Sequence, residues 1–219
     1  LVLTSTLDQP ASDESWGICD LTLTLSNYNV NADGTEITSE ALTQATTNWF
    51  ACANPVNDLA WTYAPAFTTI TCKGTGYTYL GGYGSKGTVT SPTLLISTPH
   101  QGVIVSFKLA WIDSWDGEAF QVFADGVKVY QATHNFLTQS FSNSCGSATW
   151  NDAYNNITFG FNHTANTLTL TITSTLDQPA ADESWGICDF TVQTTQYQVL
   201  ADGTEITYEA ISEQTTTWF

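Results

Sequence analysis

The chain has 219 residues, of which 42% are hydrophobic and 13% aromatic, enough to build a sizeable core and too many for an unfolded polyelectrolyte. Its only cations besides histidine are Lys73, Lys86, Lys108 and Lys128, set against 21 carboxylates, for a formal net charge of −17. So few cations cannot neutralise phosphates, which excludes nucleic acid and an anionic membrane surface as partners. No run of about 18 apolar residues reads as a membrane-inserted helix.

Residues 1–7 alternate weakly. After the Asp8-Gln9-Pro10 turn, Cys19, Leu21, Leu23 and Leu25 share one face, the pattern of a half-buried strand. Residues 28–50 are polar, with an Asp33-Gly34 turn and a Trp49-Phe50 end. They read as a connector with one or two short strands, or with a short helix over 39–44. Aromatic and Thr-rich segments at 61–72 and 77–83 follow, with the Gly-rich stretch 74–87 read as loop. Residues 94–96 and 103–111 read as strands, the second apolar enough to be central in a sheet. Residues 120–123 and 127–130 flank Ala124-Asp125-Gly126, a hairpin signal. A long Asn/Ser-rich loop at 133–155 is pinned by Cys145. Residues 157–161 and 168–172 read as a second hairpin, with Leu168, Leu170 and Ile172 on one face and Thr169, Thr171 and Thr173 on the other. Cys188, Phe190 and Val192 mark the last strand. No segment has a sustained 3.6-residue period, so the expected fold is all-β, an antiparallel sandwich of jelly-roll type.

Residues 1–50 return as 170–219 at a constant offset of 169 residues, with about two-thirds of positions identical. Asp13-Glu14-Ser15-Trp16-Gly17-Ile18-Cys19-Asp20 recurs unchanged as Asp182-Glu183-Ser184-Trp185-Gly186-Ile187-Cys188-Asp189. The expected organisation is a preceding partial repeat or donated strand segment at 1–27, a connector at 28–50, a full sandwich at 51–196, and a connector to the next repeat at 197–219. The chain then reads either as a window on a tandem array or as a protomer that adds a strand to its neighbour; both lead to linear, head-to-tail assembly of the chain with itself. The junction falls on 1–27 and 170–196 with their connectors. Trp49, Phe50, Trp218 and Phe219 are its candidate anchors.

Cys19 and Cys188 are one position counted twice, which leaves four cysteines per period and two disulfides. The pairs expected are Cys52 with Cys72 and Cys145 with Cys188, with Cys19 unpaired or joined to a partner outside this chain. Disulfides place the protein outside the cell or at its surface. Asn156 and Asn162 head N-glycosylation sequons, and the Thr runs at 43–47 and 215–217 offer O-glycan sites.

Cys72, Leu80-Gly81-Gly82-Tyr83, Gly87, Pro99-His100, Ile112-Asp113-Ser114-Trp115-Asp116-Gly117-Glu118, Cys145-Gly146 and the 182–187 motif follow one another in a characteristic order. In this the chain resembles the jelly-roll repeats of large secreted or surface-anchored ciliate proteins, over about residues 60–195. The resemblance implies a β-sandwich used in extracellular coats or adhesive structures, and it implies no catalytic residue.

Two carboxylate groups, Asp113, Asp116 and Glu118 with Asp182, Glu183 and Asp189, are a candidate calcium site, since calcium takes six to eight oxygen ligands. The competing reading makes these acids turn caps around the core residues Trp115 and Trp185. Glu118 and Glu183 are also the candidates for a jelly-roll glycosidase, for which nothing else in the sequence speaks. His100, His134 and His163 lie far apart in sequence and suggest no triad. Trp61, Tyr63, Tyr77, Tyr79 and Tyr83 form either a sugar-stacking platform or core, with core favoured. The sequence thus points first to a glycosylated, disulfide-stabilised structural protein, not an enzyme, that needs no cofactor and polymerises into a filament or coat. A carbohydrate-binding adhesin module is the alternative.

Overall fold

The computed structural model describes residues 21–24, 46–96, 99–139, 144–147, 149–206 and 215–218. These fall in two compact units. The smaller contains β1 (Leu21–Thr24) and β15 (Thr215–Trp218), which pair antiparallel with Leu21 opposite Trp218. The larger unit, Ser39–Ile206, is an all-β antiparallel sandwich.

One sheet of the sandwich runs β10 (Val127–Asn135), β9 (Asp116–Ala124), β13 (Leu170–Ser174), β6 (Thr88–Thr90) and β3 (Thr62–Ala64). The other runs β11 (Ala153–Asn162), β8 (Gly102–Asp113), β14 (Glu183–Thr195), β5 (Tyr77–Tyr83) and β4 (Thr69–Cys72), with β2 (Thr46–Trp49) also on β14. Two short strands, β7 (Leu94–Leu95) and β12 (Thr167–Leu168), pair at one side, and α1 (Phe136–Gln139) is a single turn.

The core lies where the two inner faces meet. Val103, Val105, Phe107, Leu109 and Trp111 project from β8 at alternate positions, as period two requires, and meet Phe120 and Val122 from β9 and Leu170 and Ile172 from β13. Phe107, Trp111 and Trp185 approach Phe120 with ring centroids 5.7, 6.1 and 5.3 Å apart. The opposite face of β13 carries threonines whose hydroxyls meet those of β6, Thr171 with Thr90 and Thr173 with Thr88, at 3.4 Å. The 120–130 hairpin forms as expected. Its two-residue turn has Asp125 and Gly126 at φ of 49° and 81°, the left-handed pair that such a turn needs.

Four expectations are corrected. The segments at 157–161 and 168–172 are strands but not a hairpin: β11 pairs β8 in one sheet, while β13 joins β9 and β6 in the other, so the chain crosses between layers at 163–166. The Gly-rich stretch 74–87 is not loop throughout, because Tyr77–Tyr83 is β5. The disulfides are Cys52–Cys188 and Cys72–Cys145 rather than the nearest-neighbour pairs, because β14 brings Cys188 beside the residues that follow β2. Last, Cys188 does not share a face with Phe190 and Val192. The pairing of β14 with β8 slips between Cys188 and Thr191, and Asp189 takes a φ of 49°. A bulge of this kind reverses the alternation. Trp185 and Ile187 point inward before it and Phe190 and Val192 after it, while Cys188 turns to the outer face. The helix considered over 39–44 and the partner of Cys19 lie outside the described residues.

The outer face of the second sheet is covered near Ala110 and Ile112 by a small cluster holding all four bonded cysteines and Tyr79. This is why β8 alternates at its start but is continuously buried at its end.

Gly81 of β5 faces Gly186 of β14, and a Cβ on Gly81 would come within 2.5 Å of the Gly186 Cα and 2.9 Å of the Trp185 carbonyl. Backbone cannot step aside as a side chain can. Gly81→Ala is therefore expected to cost about 1–3 kcal/mol, measured as a lower midpoint in chemical denaturation with the slope unchanged.

Candidate functional site

Three clusters of polar residues stand out, and the bulge of β14 builds the first. β5 pairs with β14 before the bulge and β2 pairs after it, from Phe190 opposite Trp49 to Gln193 opposite Thr46. Residues 50–52 close over the gap. The Asp189 N–H donates to the Phe50 carbonyl at 2.8 Å, the Cys52 N–H donates to Asp189 Oδ1 at 3.0 Å, and Cys52 bonds to Cys188. Lys108 Nζ completes the clamp on Asp189 Oδ2 and stands 4.7 Å from the Tyr77 ring centre. Partial burial works against charge on Asp189, but Lys108 and the Cys52 amide outweigh it and hold its carboxyl below the usual range.

Beside this clamp opens a cleft of about 690 Å³, lined by the apolar Trp49, Phe50, Ala51 and Val56 and the polar Asn54, Asp58, Asp189 and Thr191. Its aromatic side is held by Trp61, a core residue that packs edge-on against Trp49, Phe50 and Phe190 at 5.4, 4.9 and 5.8 Å. Asp58 holds the far wall: its carboxylate accepts the Ala60 N–H and its carbonyl the Trp61 N–H, each at 3.0 Å.

The second cluster is acidic. Of the six carboxylates proposed for calcium, the fold brings together Asp116, Glu118 and Glu183, whose oxygens lie within 4.8 Å of one another. Asp182 is exposed, and the structural role visible there is its carbonyl, which accepts the Ser114 hydroxyl at 2.8 Å. Asp189 lies at the cleft. Burial first, then the nearby Glu118 and Asp116, push the Glu183 carboxyl up to about 7. Glu183, a candidate glycosidase acid, has no exposed surface and cannot meet a sugar.

The third cluster is a loop anchor. Asp152, itself buried, accepts the N–H groups of Asp113, Ser144 and Cys145 at 2.7–3.2 Å. Asp113 Oδ1 accepts the Ser147 N–H at 2.8 Å. Gly146, at φ 52°, packs so tightly that a Cβ would land on the Asp113 carboxylate. Asp113, at φ 68°, thus serves the Cys145-Gly146 turn.

Among the aromatics, Trp61, Tyr79 and Tyr83 are core, as favoured, while Tyr77 remains 37% exposed. The histidines, distant in sequence, are not all distant in space: His100 Nε2 and His163 Nδ1 are 2.7 Å apart with stacked rings, and His163 reaches Asp125 at 3.3 Å. Asn156 and Asn162 are both exposed on β11, and Asn162 Oδ1 accepts the Val199 N–H at 3.0 Å. Asn54, Asp58 and Thr191 carry no signal in the sequence and come together with Trp49 and Phe50 only through the β2–β14 pairing.

No protein-family model matches the chain, and no curated protein does. Similar solved structures include the C-terminal family-6 carbohydrate-binding module of a laminarinase from Zobellia galactanivorans, at 12% identity and TM-score 0.42, covering 69% of this chain and all of that one. Another is a family-36 carbohydrate-binding module in complex with calcium and xylotriose, at 10% identity and TM-score 0.37, covering 62% of this chain and all of that one. An insecticidal crystal protein is similar at 17% identity and TM-score 0.42, covering 76% of this chain and 24% of that one.

The head-to-tail filament is corrected at this point. The solved structures similar to this chain include several carbohydrate-binding modules. Within the chain itself, Phe50 is a core residue at 4% exposure, and Trp49 sits on a strand already paired with β14 while its half-buried side chain lines the cleft. Trp218 lies opposite Leu21 in the smaller unit, and Phe219 is outside the described residues.

Burial raises the Asp113 carboxyl from its ordinary value of 3.8 to about 6. Below pH 4 it is protonated folded or unfolded. As pH rises from 4 to 6 the unfolded chain ionises first, so stability falls across that window and is flat above it. Asp113→Asn, which tolerates the positive φ, is expected to remove a drop on the order of 2 kcal/mol between pH 4 and 6, read from denaturation midpoints. The slope left by Glu183 runs on towards pH 7.

Proposed function

We propose that the protein is an extracellular carbohydrate-binding module that takes a neutral oligosaccharide in the cleft beside Asp189. One observation carries this: an open cleft of ligand size is lined by two aromatic side chains together with four polar ones. Sugars have apolar faces of C–H bonds ringed by hydroxyls, so a flat ring below and acceptors around the edge match both parts of the ligand. Trp49 offers the ring, held by Trp61 and Phe190. Asp189 and Asp58 offer carboxylate acceptors, Asn54 an amide and Thr191 a hydroxyl. The acidic rim, on a chain with net charge −17, disfavours uronates and sulfated sugars.

Two disulfides suit an oxidising compartment, and no helix among the described residues is long and apolar enough to cross a membrane. In that setting Asn156, exposed on the edge strand β11, is the better-placed N-glycan acceptor, since Asn162 is engaged by Val199.

Affinity electrophoresis against a panel of neutral and acidic polysaccharides, followed by calorimetry with short oligosaccharides, tests the reading. Retardation is expected on a neutral polymer only, with Kd between about 10 µM and 1 mM, the range of a shallow cleft with a few hydrogen bonds. Trp49→Ala should weaken binding more than tenfold, and Thr191→Ala, which also removes a hydrogen bond to the Ser106 carbonyl, by threefold or more with the fold checked by its denaturation midpoint. No binding anywhere on the panel, or binding indifferent to both substitutions, would sink the proposal.

A further inference from the structure

Glu183 opens β14 with no exposed surface, and neither Oε1 nor Oε2 accepts a hydrogen bond. Buried carboxylates are normally met by donors; one with none signals a missing partner. The charges acting on it most strongly are all of its own sign: Glu118, Asp116, Asp177 and Asp182. Lys108 is committed to Asp189 and Lys128 to Gln131, so neither relieves it.

The backbone holds this arrangement in place. Glu183 pairs with Asp113 at the end of β8. The turn into β9 is fixed by Trp115, fully buried, whose Nε1 donates to the Ser184 carbonyl at 2.8 Å. Gly117, at φ 135°, then lets Asp116 and Glu118 come together, with the Asp116 N–H donating to Glu118 Oε2 at 2.8 Å. Asp116 is exposed and Glu118 half-buried, so an ion could enter from solvent and keep water on its outer side.

We propose that Asp116, Glu118 and Glu183 hold a divalent cation of calcium's size, bridging the start of β9 to the start of β14. Three oxygens no more than 4.8 Å apart lie within about 2.8 Å of a common centre, so a shift of a few tenths of an ångström by the exposed Asp116 and half-buried Glu118 brings all three to calcium's 2.3–2.6 Å. Hard carboxylate oxygens and no nitrogen or sulfur ligand in the group favour calcium over zinc or copper. The ion would give both unpartnered Glu183 oxygens a counter-charge and tie the two sheets at one end. This site stands apart from the sugar cleft: Glu183 and Asp189 are six residues apart on β14, about 20 Å at strand rise.

The test uses the whole chain stripped with EDTA. Calcium chloride is titrated by calorimetry and by thermal melting, and terbium luminescence sensitised by tryptophan reports the site directly, since Trp115 and Trp185 lie beside it. One calcium per chain is expected with Kd at or below about 1 mM, as for extracellular modules, and magnesium should bind at least tenfold more weakly. At a hundred times Kd, Tm should rise by about 5–10 °C. Glu118→Gln, partly exposed and tolerated by the fold, should weaken calcium at least tenfold and abolish the terbium signal. Asp182→Asn should change neither. In the EDTA-treated chain Glu183→Gln should melt at or above the parent, and in calcium below it. The proposal is overturned if 10 mM calcium leaves Tm and heat unchanged, or if terbium luminescence is equal in the parent and Glu118→Gln. Sugar binding is read separately, so either result leaves the other standing.

Discussion

The bulge at Cys188 and Asp189 is the constraint on which the larger unit turns. Without it, β14 would keep one alternation from Trp185 onward, and Phe190 would point away from the core. With it, Phe190 and Val192 face inward on the far side of the break, and the strand buries apolar residues at both ends. The break has three further consequences. Cys188 is turned outward, where Cys52 can reach it. The strand beside β14 changes from β5 to β2, leaving a gap between them. Asp189, held at a positive φ, sets its carboxylate on the Cys52 N–H and Lys108 and lines the cleft together with Trp49 and Phe50.

Dry acids on the same sheet meet opposite fates, and the difference lies in what faces them. Asp152 is buried beside a loop that Cys72–Cys145 ties down, and two N–H groups of that loop and the N–H of Asp113 satisfy it. Asp113, one loop away, finds a donor for Oδ1 but none for Oδ2. Glu183 finds none for either oxygen and faces further acids instead. A carboxylate that organises a loop and one left without any donor look alike in composition. Only the inventory of donors around each tells them apart.

Period-two patterning made the strands legible. β8, β9, β10 and β13 follow from their apolar alternation and from Asp125-Gly126, and the sandwich follows from their spacing. Partnership was not legible to the same degree. Residues 157–161 and 168–172 look like a hairpin because they are close in sequence and matched in length, yet a jelly roll sends such neighbours to opposite layers. The disulfides failed for the same reason, since Cys52 and Cys188 meet only through the β2–β14 pairing, across 136 residues. At the acidic site all three residues stood in the candidate set, but so did Asp113, Asp182 and Asp189, whose side chains or backbone the fold uses elsewhere. Trp49 and Phe50 stand out in the sequence as an aromatic pair, but what surrounds them depends on the β2–β14 pairing, which the sequence does not show.

The repeat acquires a different meaning once the pairings are known. Leu21 opposite Trp218 is the same partnership, shifted by 169 residues, as Phe190 opposite Trp49, so both copies of the segment encode one strand–strand match. Identity between the copies is uneven, however. All eight residues from Asp182 to Asp189 recur as Asp13 to Asp20, whereas Leu21 and Leu23 stand where Phe190 and Val192 do. Strand formation alone would not produce that contrast, since any apolar residue at alternate positions sustains pairing. The unchanged half is the one that requires particular residues: an acid that is buried without donors, a glycine whose Cα approaches Gly81, a cysteine turned outward and an aspartate at positive φ. The repetition thus keeps the residues that build the break unchanged, as it does the 174–180 and 201–207 runs, and lets the paired strand beyond the break vary among apolar residues.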